Sequence, residues 1–93
     1  MKLNVTSTAI DEIKKIMEKK NAFDKKIRVY VAGYGWGGPS YGIALDEQNK
    51  EDITEEINGI TFVVDKNLSN QAEVFNVDYT QNWTGKGFRV STI

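Results

Sequence analysis

Ile27-Arg28-Val29-Tyr30-Val31, then Gly33-Tyr34-Gly35-Trp36-Gly37-Gly38-Pro39, then Tyr41-Gly42-Ile43-Ala44-Leu45 is the stretch that decides the fold. Ile27, Val29 and Val31 alternate with Arg28 and Tyr30, the period-two pattern of a half-buried strand. The glycine-rich segment breaks that strand, and Tyr41, Ile43 and Leu45 take up the alternation again. Gly33-x-Gly35-x-x-Gly38 matches the letters of the dinucleotide fingerprint, which works only where a helix N-terminus follows and its amides receive the pyrophosphate. Here Pro39 to Ile43 reads as another strand. The match is therefore formal, and the glycines are expected to build a wide turn by supplying positive φ and close backbone approach.

Working outward, the N-terminal side holds one long helix. Leu3 and Val5 form a short strand, Thr6 offers a hydroxyl N-cap, and Thr8 with Asp11 offers an alternative capping box. Ala9, Ile10, Ile13, Ile16 and Met17 recur at helical spacing, with charged residues on the other face, so a helix is expected over roughly residues 7–20. The C-terminal side is strands and turns. Ile53 to Ile57 and Ile60 to Val64 flank Asn58-Gly59, a strong hairpin signal because both residues tolerate positive φ. Residues 66–72 have room for one helical turn. Val74 to Tyr79 alternates again, Gln81 to Gly87 reads as a turn-rich loop, and Phe88 to Val90 as a closing strand.

One helix and about six short strands exclude a doubly wound α/β fold, which needs several crossover helices. The expected class is mainly β (α+β): two small mixed sheets curled into a sandwich or pseudobarrel, with the amphipathic helix over one opening. At 93 residues the chain is expected to be one domain, residues 1–93.

Composition removes much chemistry. The chain has no cysteine and no histidine. That excludes disulfides, thiolate metal sites, thiol nucleophiles and the imidazole proton shuttle. Its net charge of −1 is a poor footprint for nucleic acid. Residues 1–26 are lysine-rich and residues 46–56 acidic; both are expected to be solvated surface. With no apolar run long enough for a membrane span and no signal-peptide stretch at Met1-Lys2-Leu3-Asn4, cytoplasmic residence is the expectation.

The remaining candidates are aromatic and acidic. Tyr41, in register with Ile43 and Leu45, is expected to cap the core. Trp36 sits between glycines with no periodic apolar neighbours, which leaves packing against the loop or core and contact with a partner as equal readings. Tyr34 beside it and Trp83 in the later loop join it as candidates. Aromatics of this kind concentrate at binding hot spots, so these three form the candidate interaction surface. Adjacent acids such as Glu55-Glu56 point to opposite faces of a strand and make no acid–base pair. No enzymatic constellation is visible, and neither a cofactor nor a resident metal is expected.

Several of these segments, taken in order, resemble the HesB/IscA-like family, the A-type carriers of iron–sulfur cluster assembly. The resemblance runs from Val5-Thr6 and the helix through Ile27-Arg28-Val29-Tyr30-Val31 and Ser40-Tyr41-Gly42-Ile43-Ala44-Leu45-Asp46. It continues through Asn58-Gly59, Phe62-Val63-Val64-Asp65 and Val77-Asp78-Tyr79 to Gly85-Lys86-Gly87-Phe88-Arg89-Val90. It implies a HesB-like fold over nearly the whole chain. The family's first cluster ligand is a cysteine in the glycine-rich turn, and aligning on Ser40-Tyr41-Gly42 puts Trp36 there. The family's other two ligands form a Cys-x-Cys tail beyond the last strand, and residues up to Ile93 contain no such tail. The resemblance thus implies a non-catalytic relative that cannot ligate a cluster through cysteine and binds a protein or small ligand instead. The alternative expectation is iron held by the oxygen ligands Asp78, Tyr79 and Tyr34, since hard iron accepts carboxylate and phenolate.

Overall fold

The computed structural model describes residues 1–93, whose elements run β1 (Lys2–Val5), α1 (Ser7–Lys19), β2 (Lys26–Gly35), β3 (Gly38–Asp46), β4 (Ile53–Ile57), β5 (Ile60–Val64), α2 (Lys66–Ser69), β6 (Val74–Asn82) and β7 (Gly85–Thr92). Thr6 is the cap of α1. Its Oγ1 accepts from the Ala9 amide at 3.1 Å and donates to Asp78 Oδ1 at 2.8 Å, so one hydroxyl starts the helix and ties it to β6. At the other end Asn21, at φ 50°, turns the chain out of the helix while the Ala22 amide donates to Met17 O.

The strands lie in the order β1-β6-β7-β3-β2-β5-β4. Two mixed halves are visible in that order. In one, β1 runs parallel to β6 and β6 antiparallel to β7; in the other, β2 is antiparallel to β3 and parallel to β5, which pairs antiparallel with β4. A single residue pair, Tyr41 with Val90, joins them. The free strands β1 and β4 line one shared cleft, so the sheet curls almost into a barrel. The expected pair of small mixed sheets is borne out in this form.

Helix α1 lays Ala9, Ile10, Ile13 and Met17 on the inner face, where they meet Ile27, Val29, Phe62, Val64, Phe75 and Val77. Burying each of the larger of these side chains contributes on the order of 2 kcal/mol, which makes this cluster the main source of stability. Tyr41 packs edge-on against Phe75 at 5.5 Å between ring centroids, as its alternation with Ile43 and Leu45 requires.

Two expected loops are corrected. The glycine segment does not end β2, because the ladder continues through Tyr34 opposite Pro39 to Gly35 opposite Gly38. Likewise β6 and β7 pair out to Asn82 opposite Gly85, leaving only Trp83 and Thr84 as the turn. Glycine and polar residues hide the alternation in both hairpin ends, but their backbones still pair. The acidic stretch is also more than solvated surface. Arg28 donates through two nitrogens to Asp52, at 3.0 and 2.6 Å, through Nε to Asp46, and to the Glu47 carbonyl at 3.1 Å. The Asp52 side chain is 3% exposed. The loop therefore folds around one guanidinium.

Candidate interaction surface

The β2–β3 hairpin builds the first candidate surface. Gly38 follows the turn with φ +100°, a conformation L side chains rarely adopt, so glycine is required there for the chain to reverse. Trp36 and Gly37 form the turn between the paired glycines Gly35 and Gly38. With only glycine beside it, the indole finds no apolar neighbour and stands fully in solvent at 108% relative exposure.

A bulge prepares the position of Tyr34. Val31 pairs with Tyr41 but Gly33 pairs with Ser40, so Ala32 is an extra residue on β2. Side chains alternate between faces, and one inserted residue reverses the alternation beyond it. Tyr34, opposite Pro39, thereby returns to the face of Val31 and Tyr41, but past the end of the core, where it is 82% exposed. Lower on the hairpin, Tyr30 lies across Gly42: a Cβ at residue 42 would come within 3.2 Å of the Tyr30 ring. Packing of that ring on the partner strand stiffens the stem below the tip.

Trp83 is 95% exposed in the β6–β7 turn. Asn82 Oδ1 holds this turn by accepting from the Thr84 amide at 2.9 Å and from its hydroxyl. Because β7 is antiparallel to β3, with Val90 opposite Tyr41, the two turns point to opposite ends of the sheet. The structure thus brings Tyr34 and Trp36 together on one hairpin and leaves Trp83 apart from them. The last strand runs toward the Trp36 end.

The three oxygen-bearing residues are not assembled into one site. Asp78 Oδ1 already accepts from Thr6 Oγ1 and from the Tyr79 amide, each at 2.8 Å. Tyr79 packs against Phe88 at 4.9 Å. Tyr34 stands on β2, separated from β6 by two intervening strands. No group of three or more His, Cys, Asp or Glu side chains is placed to hold a metal. No helix is long and apolar enough to cross a membrane.

The electrostatic centre of the molecule lies at the other end of β2. Hydrogen bonding from Arg28 holds the Asp46 and Asp52 carboxyls below the usual carboxylate range, with the Glu47 amide assisting at Asp46 and the Asn49 amide at Asp52. Arg28 is raised in turn, chiefly by its bond to Asp52. Sequence reasoning missed this group. Its members are 18 and 24 residues from Arg28, and the only hint was an arginine on a strand that otherwise alternates apolar and aromatic residues.

The fold is a curled mixed sheet covered by one N-terminal helix, with a glycine-rich hairpin projecting from it. The family described as iron-sulphur cluster biosynthesis matches residues 1–91, and the chain belongs to it. The chain is 34% identical over 90 residues to the iron-sulfur cluster insertion protein ErpA of Erwinia tasmaniensis, covering 96% of this chain and 79% of that protein. It is 33% identical over 87 residues to the ErpA of Stenotrophomonas maltophilia, covering 92% and 67%. Among solved structures, IscA with the [2Fe-2S] cluster superposes with a TM-score of 0.77 at 22% identity, over 97% of this chain and 81% of that one. Escherichia coli SufA, involved in biosynthesis of iron-sulfur clusters, gives 0.80 at 21% identity, over 97% and 79%. These likenesses establish a HesB/IscA-like fold, here in a chain whose 93 residues contain no cysteine.

Proposed function

We propose that residues 1–93 act as one HesB-like binding module in the cytoplasm, which contacts a protein partner through the β2–β3 hairpin and carries no cluster of its own. The observation that carries this reading is Trp36: a fully exposed indole on a two-residue turn, at the position where the family resemblance places a cysteine ligand. An indole has no lone pair suited to iron, yet a large aromatic held away from its own core is the kind of group that dominates binding energy at interfaces. Tyr34 beside it widens the apolar contact, and the paired stem limits the entropy lost when the tip docks. Trp83, at the opposite end, is a separate contact rather than part of the same footprint.

The partner is sought among proteins of iron–sulfur cluster assembly, the process named for the relatives. Purified wild type, Trp36→Ala and Trp83→Ala are immobilised and each is offered those assembly proteins singly. A partner retained by wild type and by Trp83→Ala but lost from Trp36→Ala supports the reading. Equal retention by wild type and Trp36→Ala removes the turn from the proposed site.

A further inference from the structure

Helix α1 does not close the whole inner face of the sheet. Ala9, Ile10, Ile13 and Met17 are buried, but Ile16, on the side facing β3 and β7, is only half-buried. Between the helix and those strands lies a cleft of about 310 Å³, walled by Ile13, Ile16, Ile27, Ile43, Leu45 and Phe88. Apart from these and Ala44, Lys20 is the only residue on it. Lys20 is exposed at the C-cap of α1 and takes part in none of the four ion pairs of the molecule. The cleft does not involve Tyr34, Trp36, Asp78 or the Arg28 group.

A concave apolar wall with one unpaired cation is chemically selective. The wall favours a hydrocarbon body and offers no partner for polar groups inside it. The ammonium attracts an anionic head that stays at the solvent edge. At roughly 30 Å³ per non-hydrogen atom, the share of liquid volume taken by one water, the cleft has room for about ten such atoms. We propose that it binds a small amphiphilic anion: a medium-chain carboxylate whose tail lies against Ile16, Ile43 and Phe88 while its head pairs with Lys20. Burial of the tail supplies the affinity. The solvated ion pair supplies only selectivity, because exposed pairs contribute little.

Methyl-resolved 1H–13C spectra of the intact protein, titrated with decanoate, with 1-decanol and with decyltrimethylammonium, test this. Decanoate is expected to shift the methyls of Ile16, Ile43 and Leu45 saturably, binding about fivefold tighter than decanol, with the cation weakest. Lys20→Glu, a surface change that leaves the core alone, should remove the preference for decanoate over decanol. Ile16→Trp should fill the cleft and abolish binding of both, and Trp36→Ala should change nothing, which separates this site from the hairpin. The proposal is overturned if the shifts do not saturate, fall outside the cleft or are equal for acid and alcohol. It is also overturned if the cleft methyls shift with protein concentration alone, which would mean that a second copy fills the space.

Discussion

The two halves of β2 differ sharply in burial and pairing. From Lys26 to Val31 the strand pairs with β3 throughout and, over Ile27–Val29, with β5 on its other side, with Ile27 and Val29 in the core and Arg28 gripping the acidic loop. From Ala32 to Gly35 it pairs only with β3, carries glycine at alternate positions and ends in an exposed indole. One strand thus passes from a core-lining, doubly paired segment to an exposed tip: pairing with β5 ends at Val29, and the bulge at Ala32 then resets the facing of the residues beyond it. Stability is concentrated in the first half, while the second is free to vary in sequence at little cost to folding.

Substitutions in the two halves should therefore separate cleanly. The largest effect is expected at Arg28. Arg28→Ala leaves Asp52 enclosed without its bidentate partner and should lower unfolding free energy by about 3 kcal/mol, read from urea denaturation. Acid sharpens the same point. The folded-state pKa values of Asp46 and Asp52 lie below their unfolded values, so their stabilisation is complete above the unfolded value. It is lost as pH falls through the folded values, that is, below about pH 4. Wild type should lose stability steeply there, and Arg28→Ala should show a shallower decline; identical acid profiles would break the comparison.

In the second half the effects shrink. Gly38→Ala places a side chain at φ +100° and should cost about 1 kcal/mol, with the loss confined to hydrogen-exchange protection near the tip. Trp36→Ala should change stability by less than about 0.5 kcal/mol while weakening partner binding at least about tenfold. A thermal melt alongside a binding isotherm reads both. A large drop in melting temperature would show that the indole belongs to the core.

The sequence told much about the first half and little about the second. The α1 periodicity and the Asn58-Gly59 turn, with φ of 50° and 83°, were legible because they depend on neighbours in the chain. The ends of the β2–β3 and β6–β7 hairpins were not, since their pairing is carried by backbone while the side chains are glycine, polar or exposed. The bulge at Ala32 leaves no compositional trace, so the facing of Tyr34 could not be read. Trp36 was visible as an aromatic without periodic apolar neighbours, though packing and exposure could not be told apart from sequence; it, Tyr34 and Trp83 are all exposed. That the two tryptophans occupy opposite ends follows only from the pairing of Tyr41 with Val90, across 49 positions of chain.

Whether Trp36 has replaced a cluster-holding position with a contact residue is tested most directly by anaerobic incubation of residues 1–93 with ferrous iron and sulfide, followed by desalting and visible spectroscopy. The protein should emerge colourless and free of iron. A brown protein retaining stoichiometric iron and sulfide, with absorption that survives gel filtration, would contradict the account.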